Sequence, residues 1–141
     1  MTTKMLAVLA AGAVAIAAFA VPAGAAKKAT SSQAAAIAKA VKTTPVGGAN
    51  KLNKSWYTVS GQKISTVSKS WAVATQTPTK AGNGKFQPAF FILVQPAGTK
   101  QWVVVDIGTS MEGCGIAPDA VLSDLLNIKG DPCADGSGIP N

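Results

Sequence analysis

The sequence predicts an α+β fold: an N-terminal helix, a four-stranded antiparallel meander and a short C-terminal helix, with the helices on one face of the sheet. The main observation is a pair of apolar runs, residues 89–95 and 101–107, which flank a turn-like segment at 96–100 and predict a β-hairpin. In both runs apolar residues occupy even and odd positions alike. We therefore expect the hairpin to lie at the centre of the sheet rather than at its edge.

Residues 1–25 have the organisation of a secretory signal peptide. Lys4 is followed by an uncharged, Ala-rich stretch and then by the small residues 23–25, the form of a cleavage site. The alternative is a retained membrane anchor over residues 5–26, because 22 uncharged residues can span a bilayer, although Ala and Gly make a weakly apolar span. The expected location is secreted, extracellular or cell-wall associated, with a mature chain that begins near Ala26.

Residues 26–53 are predicted to form the N-terminal helix and a loop. Thr30 and Gln33 have the spacing of a capping box, and apolar residues then follow at helical spacing. We expect a helix over 33–42, ended by Pro45 and the glycines after it. The apolar stripe consists of Ala34, Ala35, Ile37, Ala38 and Val41.

Residues 54–133 are predicted to form an α+β domain that makes one globular unit with the preceding helix. The first strand is expected at about 56–66, with Gly61 as a bulge where the alternation of side chains resets. The second strand is expected at 71–77 and is stopped by Pro78. The central hairpin supplies the third and fourth strands.

The C-terminal part is predicted to be a helix stapled by a disulfide. Pro118 suits the first helical position and Asp119 the positive end of the helix dipole. Cys114 and Cys133 are an even pair in a chain expected to be exported, which predicts one disulfide. Residues 134–141 are expected to form a flexible tail. The apolar face of the helix consists of Val121, Leu122, Leu125 and Leu126.

Several of these features occur together in a known group of proteins. They are the Ala-rich signal, Trp71-Ala72, the run WVVVDIG at 102–108, a cysteine loop, and Pro118 before an apolar helix face. With them the chain resembles a loose group of small secreted proteins of high-GC Gram-positive (actinobacterial) bacteria. The resemblance implies a shared fold and export, and it carries no activity and no site residues. The layout also resembles cystatin-like and NTF2-like sheets, an analogy of fold alone.

Charge is distributed unevenly along the chain. Residues 27–100 contain eleven lysines and no acid, a net charge of +11, whereas residues 101–141 contain six acids and one lysine, a net charge of −5. Such asymmetry indicates either an intramolecular match between the two parts or a basic face for an anionic partner.

The topology of the meander predicts where the lysines lie. The starts of strands one and three share an end of the sheet with the ends of strands two and four. We therefore expect four lysines to gather at one rim, with Lys69 and Lys100 at the other rim. The four are Lys51, Lys54, Lys80 and Lys85.

These four lysines predict a weak, salt-sensitive site for a polyanion, such as teichoic acid or an anionic lipid headgroup. Nucleic acid ranks last, because an exported protein seldom meets it. The alternative is that the lysines are solvated and partly neutralised by Glu112, Asp131 and Asp135.

The composition excludes several chemistries. Without His, Ser-His and Cys-His nucleophiles are absent, and without Arg so is bidentate clamping of phosphate. With two thiols and no His, we expect no metal and no cofactor. Asp106 is the one candidate functional acid: it is either a general base, with Glu112 as a second carboxylate, or an acceptor of hydrogen bonds from the backbone or Thr109.

The sequence therefore favours a secreted, non-enzymatic binding or cell-envelope-associated module of unknown ligand. Its partner would be an anionic envelope polymer or another secreted protein, with no nucleic acid and no membrane after signal cleavage. One alternative is a small secreted inhibitor or interaction module that presents the loop 108–115. A third hypothesis is an enzyme that uses Asp106. Trp56, Trp71, Trp102 and Tyr57 are expected to pack in or around the core, with Trp56 the most exposed.

Overall fold

The computed structural model describes residues 25–110 and 113–134. It is an α+β fold whose five-stranded antiparallel sheet has the order β1-β2-β3-β4-β5, so every strand pairs with its neighbours in sequence. The predicted class and meander are confirmed. The predicted signal peptide and tail fall almost entirely on 1–24 and 135–141, outside the described residues. The strands are β1 (Lys27–Lys28), β2 (Tyr57–Ile64), β3 (Trp71–Pro78), β4 (Ala89–Val94) and β5 (Val103–Gly108).

The sheet has one strand more than predicted. β1 pairs with the end of β2, with Lys27 opposite Ile64 and Lys28 opposite Lys63. The sequence could not indicate this strand, because two lysines show no apolar alternation. A short lysine strand also protects this edge of the sheet against pairing with other chains.

The first helix, α1 (Ser31–Thr43), begins at the predicted capping box. The Thr30 hydroxyl oxygen accepts a hydrogen bond from the backbone N of Gln33 at 3.4 Å, and the Gln33 side chain accepts one from the backbone N of Thr30 at 3.0 Å. Ile37 and Val41 are fully buried against the sheet. A short 3-10 segment, Val46–Lys51, follows.

The two helices lie on opposite faces of the sheet, so the prediction of one shared face is wrong. α1 packs on the face that contains Phe91 and Leu93. The second helix, α2 (Asp119–Leu126), packs on the face that contains Val73 and Ile92. Strands that are apolar on both faces need a layer on each side, and a single-sided arrangement would have left Ile92 in water.

The predicted central hairpin lies only half at the centre. β4 is an inner strand, but β5 is an edge strand of the described sheet, and its Val103 is 45% exposed. Asp106 lies opposite Ile92 and Val104 lies opposite Leu93, so Val105 is an extra residue that forms a bulge. Apolar residues at even and odd positions alike indicate that layers cover both faces of a strand, but they do not indicate its position across the sheet.

The predicted bulge in β2 and the predicted disulfide are both confirmed. Pairing between β2 and β3 shifts by one residue at Gly61, whose φ of +64° suits glycine. Cys114 and Cys133 are bonded, with an S–S distance of 2.09 Å, and this bond joins the segments that precede and follow α2. Pro118 is the N-cap of α2 rather than its first helical residue.

Candidate anion-binding surface

Two segments that are distant in sequence meet at one end of the sheet. The backbone N of Thr79 donates a hydrogen bond to the Trp56 carbonyl at 2.7 Å. The Thr79 hydroxyl donates to the Ser55 carbonyl, also at 2.7 Å. Gly82 is buried against Trp56, and a Cβ on Gly82 would overlap the Trp56 carbonyl. These contacts place the chain before β2 directly beside the chain after β3.

The predicted rim lysines lie on these two segments. Lys54 precedes Ser55, Lys80 follows Thr79, and the Lys85 ammonium lies 4.3 Å from the centre of the Trp56 ring, a cation–π contact. All four lysines are exposed. We call Lys51, Lys54, Lys80 and Lys85 the lysine rim.

One member of the lysine rim also supports the fold. The Lys54 ammonium donates a hydrogen bond to the Lys42 carbonyl at 3.0 Å, at the C-terminal end of α1. A cation is favourable there, because the last carbonyls of a helix carry partial negative charge. Lys51 ends the 3-10 segment three residues earlier. Among the described residues, Lys51, Lys80 and Lys85 make no such hydrogen bond to a backbone carbonyl, so their ammonium groups are suited to contacting a ligand.

Of the three acids in the alternative hypothesis of neutralisation, only Asp131 lies among the described residues. Across residues 25–110 and 113–134, no ion pair joins a lysine to a carboxylate. Asp131 instead accepts a hydrogen bond from the backbone N of Cys133 at 2.8 Å. The other two acids of that hypothesis, Glu112 and Asp135, lie outside the described residues.

The aromatic residues lie mostly where the sequence predicted. Trp102 is 8% exposed and Tyr57 is 2% exposed, and both are in the core. Trp71 is half-buried and packs against the cluster under α2. Trp56 is also half-buried, and the Lys85 ammonium lies over its ring, so it offers no open stacking platform.

Asp106 closes the loop that follows β5. Its carboxylate accepts hydrogen bonds from the backbone N of Ile107 at 2.9 Å and from the backbone N of Gly113 at 2.6 Å. The side chain is half-buried, and because of the bulge at Val105 it lies on the α2 face of the sheet and not on the face of Val104. These contacts correspond to the structural hypothesis for Asp106, with the backbone as donor.

Asp124 is a buried acid that the sequence reasoning missed. It is 2% exposed, and its carboxylate accepts hydrogen bonds from the Ser65 hydroxyl at 2.7 Å and from the backbone N and hydroxyl of Thr66 at 2.6 and 2.9 Å. Burial by itself raises the pKa of Asp124, but these hydrogen bonds outweigh it, and the pKa lies below its ordinary value. The available signal was its position on α2, three residues after Val121 on the buried face.

Asp124 fixes the turn between β2 and β3. Ser65 lies at the start of that turn, and its hydroxyl oxygen accepts hydrogen bonds from the backbone N of Val67 at 3.1 Å and of Ser68 at 3.2 Å. The carboxylate is thus enclosed by donors on one side and by α2 on the other. It is a structural anchor and does not reach an open cavity.

Three side chains bring possible metal-ligand atoms close to one another. Single ligand atoms of Asp119, Asp131 and Cys133 lie within 4.8 Å of one another. The Cys133 sulfur is already bonded to Cys114, and two exposed carboxylates alone make a poor metal site. None of the helices in the described part of the chain is long and apolar enough to span a bilayer.

No protein-family model, no curated protein and no solved structure matches this chain. The resemblance to small actinobacterial secreted proteins therefore stays a prediction, and so does the analogy to cystatin-like and NTF2-like sheets.

Proposed function

We propose that this protein is a secreted, non-enzymatic module that binds an anionic polymer of the cell envelope through the lysine rim. The observation that carries this proposal is the pair of hydrogen bonds from Thr79, which joins the lysine-bearing segment before β2 to the lysine-bearing segment after β3. The net charge of +11 over residues 27–100 adds a long-range attraction for polyanions.

Lysine suits a phosphodiester polymer in particular. Each phosphodiester carries one negative charge, and a lysine ammonium is a compact point charge that needs no bidentate geometry. The absence of arginine disfavours a ligand whose recognition requires bidentate hydrogen bonds from a guanidinium group. Because the rim is exposed, binding is expected to be weak. At 0.1 M ionic strength, salt screens the attraction between the lysines and charges more than about 10 Å away.

Export is part of the same proposal. The Cys114–Cys133 disulfide supports it, because such bonds persist in oxidising compartments. Ala26 already belongs to the folded unit: its backbone N donates to the Asp124 carbonyl at 3.3 Å. Mass spectrometry of protein from culture supernatant should show a mature chain that begins near Ala26 and is lighter by two hydrogen atoms than its reduced form, because of the disulfide. Full-length protein found only in membranes would contradict export by cleavage.

The binding proposal is tested with a soluble poly(glycerol phosphate) at low and high salt. The rim variant Lys51→Gln/Lys80→Gln/Lys85→Gln leaves Lys54 in place, because Lys54 contacts the end of α1. We expect the rim variant to bind at least about tenfold more weakly than wild type at low salt, and wild-type binding to fall as salt rises.

A matched control removes the same charge elsewhere. The variant Lys39→Gln/Lys63→Gln/Lys100→Gln alters three exposed lysines outside the rim. We expect its affinity to change by less than about threefold, through the general field alone. Absence of wild-type binding at low salt, or equal losses in both variants, would refute binding at the rim.

A second candidate function is protein interaction through the disulfide-held loop at 108–115. Ile116, next to this loop, is a large apolar residue that is 47% exposed, and the backbone N of Gly113 donates a hydrogen bond to the Asp106 carboxylate. This function predicts that Cys114→Ser/Cys133→Ser abolishes an inhibitory effect that the rim variant retains. The opposite result would favour the lysine rim.

A further inference from the structure

A second basic feature lies away from the lysine rim, beside the edge strand that the sequence did not predict. It is a cleft of about 390 Å³ between β1, the start of α1 and the turn after β2. Three lysines line it, and none of the described residues in its lining is an acid. We call it the basic cleft; it is lined by Lys27, Lys28, Thr30, Gln33, Ile64, Ser65, Thr66 and Lys69.

Hydrogen bonds fix the backbone of every wall of the basic cleft. Lys27 and Lys28 are held by pairing with β2, which continues with the backbone N of Ala29 donating to the Gln62 carbonyl at 3.0 Å. Thr30 and Gln33 are held by the capping box of α1. A ligand therefore has to order the lysine side chains but not the backbone that carries them, which lowers the entropic cost of binding.

The third wall is the turn that carries Lys69, and hydrogen bonds to the buried Asp124 hold this turn in place. The Asp124 carboxylate binds Ser65 and Thr66, and the Ser65 hydroxyl in turn binds the backbone N of Ser68. Asp124 is an acid that contacts two of the residues lining the basic cleft. It is buried, and its oxygens are engaged by these donors.

Charge counting indicates the kind of ligand. Three lysines against one buried carboxylate leave a net charge of +2 around a concave surface. A monovalent anion would leave part of that charge unmatched, whereas a compact polyvalent anion matches it. Lysine is a common phosphate ligand in proteins, and the cleft volume lies within the range of small-molecule sites.

We propose that the basic cleft binds a compact polyvalent phosphate, of the class of pyrophosphate or a terminal phosphate monoester. This site is separate from the lysine rim and does not depend on polymer binding there. The ligand of the basic cleft would carry several negative charges close together. The lysine rim would instead bind a polymer whose single charges are spread along its length.

The test is a titration of the isotope-labelled, oxidised protein with inorganic pyrophosphate at low salt, followed by amide chemical shifts. We expect saturable shifts confined to residues 27–33 and 64–69. The cleft variant Lys27→Gln/Lys28→Gln/Lys69→Gln should weaken binding at least about tenfold. The rim variant has the same charge change and should alter the affinity by less than about threefold.

Parallel titrations with glycerol 3-phosphate and with inorganic phosphate distinguish the sources of the phosphate. Binding of glycerol 3-phosphate comparable to that of pyrophosphate would assign the site to ester end groups, and its absence would assign it to free polyphosphates. Shifts spread over all lysines, or equal losses in the cleft and rim variants, would overturn the proposal. Poly(glycerol phosphate) binding lost only in the rim variant would leave the proposed function standing in that case.

Discussion

Replacement of Asp124 tests whether this carboxylate anchors the turn between β2 and β3. Asp124→Asn keeps the size of the side chain and one carbonyl oxygen, while it removes the negative charge. Asp124→Ala removes all the acceptors at once. The side chain is 2% exposed, so water cannot replace what is lost without rearrangement of the packing around α2.

The magnitude follows from the three short hydrogen bonds to the carboxylate, at 2.6, 2.7 and 2.9 Å. A hydrogen bond to a charged group contributes roughly 1.5–3 kcal/mol, against about 1 kcal/mol for a neutral one. Asparagine can still accept from Ser65 and from the backbone N of Thr66, so we expect Asp124→Asn to lose about 2 kcal/mol. Asp124→Ala removes the acceptor from a buried network, and we expect a loss of about 4 kcal/mol.

The assay is urea unfolding of the oxidised protein as a function of pH. Because the folded pKa of Asp124 lies below its ordinary value of 3.8, its stabilisation is fully present above 3.8 and is lost as pH falls through the folded pKa. The difference in unfolding free energy between wild type and Asp124→Asn should therefore be constant near neutral pH and shrink below 3.8.

The control for Asp124 is Asp119→Asn, on an exposed acid in the first turn of the same helix. We expect it to change stability by less than about 0.5 kcal/mol. If Asp124→Asn behaves like this control, or if its effect is the same below 3.8 as at neutral pH, the anchoring role is refuted.

Three further predictions concern the core, the disulfide and the rim. Burial raises the pKa of Tyr57, the only tyrosine in the chain, above 10.0, so its phenolate absorbance should appear above pH 10.0 in the folded protein and stability should fall there; a folded-state midpoint at or below 10.0 would contradict this. Cys114→Ser/Cys133→Ser opens a link across 19 positions and should lower the unfolding free energy by about 3 kcal/mol, with no further loss on adding a reductant. Gly82→Ala forces a Cβ against the Trp56 carbonyl and should cost about 2–3 kcal/mol and weaken poly(glycerol phosphate) binding; unchanged stability would contradict this packing.

The elements that could be predicted from the sequence are those that local interactions determine. The capping box at Thr30 and Gln33 involves residues three apart, and the bulge at Gly61 follows from a break in side-chain alternation. The hairpin strands β4 and β5 are separated by a turn of Pro, Gly and polar residues. In each case the residues that make the interaction are close in sequence, so the pattern and the structure carry the same information.

The placement of the two helices on opposite faces of the sheet follows from the sequence pattern, although the prediction put them on one face. Apolar residues on both faces of β4, such as Phe91 and Ile92, require cover on both faces. A prediction that places both α1 and α2 on one face does not meet that requirement. The edge position of β5 is a different matter, because no periodicity along one strand reports how many neighbours it has.

The two candidate sites differ in predictability for the same physical reason. The lysine rim follows from strand connectivity, because an antiparallel meander alone decides which strand ends share a side, and the Thr79–Trp56 hydrogen bond is its local consequence. The basic cleft depends on a two-residue strand and on a contact between Ser65 and Asp124 across 59 positions of the sequence. Neither the two-residue strand nor this contact produces a periodic pattern of apolar residues in the sequence. A buried acid on a helix is stabilised by hydrogen-bond donors that lie far away in the sequence. A lone carboxylate three residues from an apolar helix position is therefore a reason to search for a serine- or threonine-rich turn elsewhere in the chain.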